Sequence, residues 1–432
     1  MGYQRFFTGF CLGLVLIVCI ACSERILLSQ ASPSAAPSPA IAAPITTAPA
    51  TALPNPAPAR SEAAAVTAPT LSAEAQALVA SAGPGGLLNP PRKDMRLVVI
   101  SDLNSAYGST TYDPEVDKAI SLLPFWQPDL VVCGGDMVAG QDRRLTLDQF
   151  KAMWQAFDDH VAGPLRRQNL PFGFTVGNHD ASSAMGANNS FLFQRERDLA
   201  AAYWRDPAHN PGVNFIDRSA FPFFYTFKQG DIFFMAWDGS SSRLSADQLA
   251  WVERSLASDV AQQAKARIVL GHLPLYGIAV GRDQPGEVLN NADQLRRLLE
   301  RYRVHTYISG HQHAYYPGHS GQLQLLHAGI LGSGPRPLID SDRAPWKGLT
   351  VVDIDFSAPD LTTYTTYDIR SLRTVEPTEL PRFLAGHNGL VLRRDISYAD
   401  LTPAEKSVCT QRLGNARCTG GLSVLKLKTY AA

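Results

Sequence analysis

Arg96-Leu97-Val98-Val99-Ile100-Ser101-Asp102 is an aliphatic, largely β-branched run that ends in a carboxylate. The form returns at Asp129-Leu-Val-Val-Cys-Gly-Gly-Asp136 and at Pro171-Phe-Gly-Phe-Thr-Val-Gly-Asn178-His179-Asp180. It returns again at Arg267-Ile-Val-Leu-Gly-His272 and at His305-Thr-Tyr-Ile-Ser-Gly-His311-Gln312-His313. Each reads as a buried strand, then usually glycine, then a residue able to hold a metal. Helical patterns lie between them, over 114–123, 145–161, 245–256 and 291–302. The second sets Phe150, Trp154, Phe157 and Val161 at helical spacing, and Ser245 with Gln248 reads as a capping box. Strands alternating with helices predict an α/β sheet with parallel neighbours, whose carboxyl ends share one ligand-binding edge. That edge would gather Asp102, Asp136, Asn178, His179, His272, His311 and His313. One carboxylate after one strand is common in any fold, and a lone histidine is more often surface or satisfied core. Five such strand ends in one chain are not accounted for that way.

These donors are carboxylates, one carboxamide and imidazoles, without cysteine. They exceed what a single catalytic ion uses, which is typically about three protein ligands and one open position. They fit two ions sharing a bridging carboxylate, and mixed O/N donors suit Fe, Mn or Zn. Two ions ~3.5–4 Å apart can hold both oxygens of an in-line displacement and bring the pKa of bound water near 7. Hydroxide attack on phosphorus is the reaction this donor set suits.

The ordered blocks Asp102, Gly135-Asp136, Gly177-Asn178-His179-Asp180, Gly271-His272-Leu-Pro274 and Gly310-His311-Gln-His313 resemble the calcineurin-like metallophosphoesterase superfamily. The stretches around Ser101 to Thr111 and Gly310 to Tyr316 are similar to its purple acid phosphatase branch, and Phe224 to Asp238 looks like the family's middle strands. The resemblance covers roughly residues 95 to 370. It implies a four-layer α/β/β/α sandwich, two mixed β-sheets packed face to face with helices outside. It implies that Asp136 bridges both metals, that Asp102 and His313 bind the first, and that Asn178, His272 and His311 bind the second. His179 would then stabilise the transition state or protonate the leaving oxygen; Asp180 would orient His179 or cap the next turn. Two positions depart from the pattern. Asn104 stands where most of the superfamily has His, and Ala139 where the purple branch has Tyr. The first metal would take the Asn104 amide oxygen, Tyr107 or Tyr112, or water instead. The activity implied is phosphatase or phosphodiesterase on a phosphate-ester substrate. The rival reading is a binding or scaffolding protein with a weakened metal site.

The rest of the chain supplies an address. The apolar run from Phe6 to Ala21 is short for a spanning helix but suits a signal peptide over 1–22. Its end, Cys19-Ile20-Ala21-Cys22-Ser23, resembles a bacterial lipobox with Cys22 as the lipidated residue; ordinary cleavage and an uncleaved anchor are the other readings. Residues 23–90 read as an Ala/Pro-rich disordered linker, 91–370 as the catalytic domain and 371–432 as a C-terminal extension. The protein is thus expected to be exported and held at a membrane, on the periplasmic or extracytoplasmic side. In that setting Cys409 and Cys418 are expected to form a disulfide, while Cys133 lies within an apolar run and reads as core. Lys+Arg and Asp+Glu balance at 39 each, so no cation excess supports nucleic-acid binding. Arg282 and Arg336 sit on Gly-rich loops, either as phosphate clamps or as solvated surface.

Overall fold

The computed structural model describes residues 71–419; Cys22 and the signal-like run lie outside them. Its strands are β1 Met95–Ile100, β2 Leu130–Cys133, β3 Phe172–Phe174, β4 Asn214–Ala220, β5 Phe224–Gln229, β6 Ile232–Ala236, β7 Ala266–Leu270 and β8 Thr306–Ser309. They continue as β9 Tyr315–Ser320, β10 Leu323–Ala328, β11 Gly348–Ile354, β12 Thr362–Asp368, β13 Arg373–Thr374, β14 Phe383–Gly386 and β15 Gly389–Arg393. Two mixed sheets result. One runs β13-β12-β11-β1-β2-β3, the other β14-β15-β9-β10-β8-β7-β6-β5-β4. Within them β1, β2 and β3 are parallel neighbours, as are β6, β7, β8 and β10. The five motif strands therefore do not share one sheet, as alternation alone suggested. β1, β2 and β3 belong to the first, β7 and β8 to the second.

Both sheets contribute to one apolar core. Phe174 of β3 meets Tyr225 of β5, with ring centroids 5.6 Å apart, and the Tyr225 hydroxyl donates to the Phe174 carbonyl at 2.7 Å. Every residue of β1, β2, β7 and β8 is buried, which is why β1 and β2 read as near-continuous apolar runs rather than alternating ones, as does Ile268–Leu270 of β7. The exception within β1 is Arg96, whose guanidinium is ion-paired with Asp353 of β11 at 2.8 Å and also donates to the Trp126 carbonyl. A buried charge is tolerated when it is paired and its remaining donors are satisfied.

The helices fall where the apolar spacing puts them, at Pro114–Trp126, Leu147–Phe157, Ala246–Ala257 and Ala292–Arg301. Ser245 caps its helix, accepting from the Gln248 amide at 3.2 Å, but the Gln248 side chain donates to the Asp238 carbonyl instead of closing the box. Complete capping boxes form at Thr146 with Gln149 and at Thr402 with Glu405.

Two boundaries move. Residues 71–90, expected within the linker, are folded: a helix spans Ala73–Ser81, and the Leu88 carbonyl accepts from the Tyr367 hydroxyl at 2.8 Å. No proline occurs from 71 to 83, and Ser72 supplies the cap, so helix is locally permitted there. Past residue 370 the chain adds β13 to the first sheet and β14–β15 to the second, so this part is integral to both sheets. Cys409 and Cys418 are joined, Cα atoms 5.8 Å apart, beneath β14–β15; Cys133 is free and buried.

Candidate metal centre

The motif residues lie just past the carboxyl ends of five strands. Asp102, Asp136, His311 and His313 all adopt φ between 51° and 66°, which costs a non-glycine residue energy and is typical of functional positions. Neighbouring glycines make the crowding possible. A Cβ at Gly177 would lie 2.0 Å from Asp136 Oδ1, and one at Gly310 would lie 2.5 Å from Asp102 Oδ2.

Donor atoms then converge. His272 Nε2 lies 3.2 Å from Asp136 Oδ2 and 2.9 Å from Asn178 Oδ1. His311 Nδ1 also lies 2.9 Å from Asn178 Oδ1. On the other side His313 Nε2 lies 3.3 Å from Asp102 Oδ1. Asp102, Asp136 and His272 together place one ligand atom each within 4.8 Å of one another.

The outer nitrogens decide what the inner ones carry. His272 Nδ1 sits 2.8 Å from the Gly134 carbonyl, and His313 Nδ1 sits 3.0 Å from the Gly334 carbonyl. His311 Nε2 sits 2.8 Å from Glu287 Oε2. The Gly134 and Gly334 carbonyls are acceptors only, so His272 Nδ1 and His313 Nδ1 bear the N–H, and in the neutral ring the other nitrogen of each offers a lone pair inward. His311 Nε2 meets the Arg282 guanidinium at 2.9 Å as well as Glu287, so both tautomers of that ring find a partner there. Asn178 is fixed likewise: its Nδ2 donates to Gln141 Oε1 at 2.7 Å, which leaves Oδ1 for the centre. Lone pairs facing lone pairs repel unless a cation lies between them. His313 Nε2 shows this directly, being buried without a hydrogen-bond partner. The donor set therefore fits metal ions.

The electrostatics favour positive charge at this spot. Burial opposes a charged His272, but the Asp136 and Asp102 carboxylates overcome it and push the ring up to about 9, so a metal ion on Nε2 would take the place of a proton. Burial likewise opposes a charged Asp136, yet the nearby His272 and His179 hold it well below the usual carboxylate range. His311 is pulled down to about 4, mainly by burial, and so stays neutral and able to ligate.

His179 stands apart from the convergence. Its Nδ1 faces the Gly140 carbonyl at 2.9 Å, and its Nε2 is 3.9 Å from Asp136 Oδ2. Its backbone N–H donates to Asp136 Oδ1 at 2.8 Å, and its ring packs beside that of Tyr107, which is 60% exposed. Asp180 does not orient His179. Its carboxylate turns inward and accepts from the backbone N–H groups of Met137, Val138 and Gly177 at 2.7–2.9 Å, because that strand turn leaves these donors unpaired. Asn104 is buried, with its backbone tied to Asp136 and Ser333; its amide forms no hydrogen bond among the described residues. Tyr112 gives its hydroxyl to the Met137 carbonyl at 2.8 Å, so that group is already engaged. Glu287 and Gln141 orient two of the candidate ligands. Neither was singled out from sequence, since both lie on loops without periodicity.

The centre opens into a cleft of about 390 Å³, whose walls include His179, Ser240, Ser241, Arg282, Glu287 and Arg336. A fold of two mixed sheets with a buried carboxylate–imidazole cluster at its strand ends defines a metal-dependent class of protein. Residues 95–315 match the family described as calcineurin-like phosphoesterase, and the chain belongs to that family. No curated protein matches it. Among solved structures it is similar to a purple acid phosphatase from yellow lupin seeds, at 16% identity and TM-score 0.47, over 67% of this chain and 54% of that one. It is also similar to GAP50 of Plasmodium, at 14% identity and TM-score 0.41, over 65% and 87%. A putative 5'-nucleotidase from Staphylococcus aureus aligns at 14% identity and TM-score 0.34, over 73% and 57%. The chain thus spans about half the length of the lupin protein.

Proposed function

We propose that the protein is a dinuclear phosphoric ester hydrolase, exported and tethered at a membrane. The observation that carries the hydrolase reading is the pair of imidazoles, His272 and His313, whose outer N–H groups are held by Gly134 and Gly334 while their inner nitrogens face Asp136, Asn178 and Asp102, with His311 Nδ1 on Asn178 Oδ1 beside them. Asp102 and His313 would hold the first ion, with Asn104 beside them. Asn178, His272 and His311 would hold the second, and Asp136 would serve both. When bound, such ions supply positive charge to phosphoryl oxygens and activate water. The chain's own contribution is orientation and proton delivery. His179, with Nδ1–H on the Gly140 carbonyl, presents Nε2 to the cleft; in its imidazolium form that nitrogen also carries a proton, which it can give to the departing oxygen, leaving the neutral ring.

The test is hydrolysis of a matched phosphate monoester and diester before and after chelation. Activity lost with the metal and restored by adding Fe, Mn or Zn supports the reading, and the ratio of the two rates assigns phosphatase or phosphodiesterase. Metal binding without hydrolysis of either ester would favour the scaffolding role instead.

Glu287 gives a second check. Its carboxylate is held down to about 2 by the His311 hydrogen bond and by Arg282, so it is ionised throughout the neutral range. Glu287→Gln is expected to weaken metal retention about 10–100-fold, the usual effect of removing a carboxylate behind a ligating histidine. Competition with a chelating dye measures this; unchanged retention would mean that His311 needs no such partner.

For tethering, Cys22→Ala is expected to release the protein from the membrane fraction or block its processing, read by fractionation and mass spectrometry of the mature N-terminus. A wild-type protein that is soluble and unmodified at Cys22 would end that proposal.

A further inference from the structure

Arg282 and Arg336 share one wall of the cleft. Arg282 is neutralised, 3.2 Å from Glu287, and lies against the His311 ring at 2.9 Å. Arg336 differs. Among the described residues it forms no ion pair, its Nε is buried without a partner, and its only side-chain hydrogen bond is a long one, 3.4 Å, to the Val280 carbonyl. Burial and the neighbouring Arg282 charge disfavour its cation, and the Glu287 carboxylate, which is paired with Arg282, favours it. The position is nonetheless built. The Arg336 backbone N–H donates to the His313 carbonyl at 2.9 Å, which ties the residue to a candidate ligand. Gly281, at φ +78°, leaves room for the guanidinium, since a Cβ there would lie 2.9 Å from its Nη1. A guanidinium held in a cleft beside another cation, without a carboxylate of its own, is a site for an anion.

We propose that Arg336 is a specificity residue that takes a second anionic group of the substrate, a phosphate or carboxylate carried by the part of the ester remote from the metal ligands. This rests on the phosphoester reading of the same cleft. It narrows the substrate class to phosphate esters bearing a further negative charge.

The probes are methylphosphonate and phosphonoacetate, which share a phosphonate and differ by one carboxylate, titrated calorimetrically into metal-loaded protein. Wild type should bind phosphonoacetate more tightly. Arg336→Gln should lose about 10-fold or more in phosphonoacetate affinity and change methylphosphonate affinity by less than about 3-fold, with Arg336→Lys recovering part of the difference. Equal losses on both ligands would place Arg336 on the first phosphonate and overturn the proposal. No preference in the wild type, or no loss in either variant, would overturn it too. The two readings fail separately: a phosphonoacetate preference in a protein that hydrolyses no ester keeps the subsite and removes the hydrolase, whereas hydrolysis without the preference does the reverse.

Discussion

Asp136→Asn is expected to lose bound metal and phosphate-ester hydrolysis together. The carboxylate is buried, with Oδ2 3.2 Å from His272 Nε2 and Oδ1 accepting the His179 backbone N–H at 2.8 Å. Asparagine keeps the shape but removes the charge that both ions would share, and it sets an N–H₂ group or a neutral oxygen against the ligand set. Several kcal/mol of charge stabilisation disappear, corresponding to a rate loss on the order of 10³-fold or more. Metal analysis and steady-state rates on the same preparation check this, with circular dichroism confirming the fold. A variant that keeps two ions per chain would show that Asp136 is not the shared ligand.

His179→Ala should behave in the opposite way toward metal. The ring lines the cleft, with Nδ1 on the Gly140 carbonyl and Nε2 no nearer than 3.9 Å to Asp136 Oδ2, so metal content should hold while the rate falls about 10²–10⁴-fold, the range for a positioned acid–base group. The loss should shrink on esters with acidic leaving groups, which depart without a proton. Full activity on a poor leaving group would remove the acid role, and loss of metal would make His179 a ligand instead.

The places of these residues at strand ends were legible in the sequence, because strand ends are. A β-branched run buried on both faces, then glycine, then a donor, fixes where Asp102, Asp136, Asn178, His272 and His311 must lie, since backbone direction at a strand end is set by the sheet. Loops offer no such frame. Glu287 and Gln141 reach the centre from segments with no period, and only the folded chain brings Glu287 within 2.8 Å of His311. Asp180 shows a finer limit. Its position follows from its motif, but its direction depended on the unpaired N–H groups of Met137 and Val138, which arrive from another strand. The short strands β14 and β15 were missed because Phe383–Gly386 and Gly389–Arg393 are too brief to carry a pattern, and they become strands by pairing on the β9 edge. The two-sheet arrangement likewise came from the family resemblance, since alternation of elements cannot say that β7 and β8 leave the sheet of β1.

The central claim is a two-ion centre organised around Asp136. Anomalous diffraction from crystals of the metal-loaded protein tests it most directly. The account predicts two peaks flanking Asp136, one beside Asp102 and His313 and the other beside Asn178, His272 and His311, with His179 on neither. A single peak, or peaks away from Asp136, would contradict it.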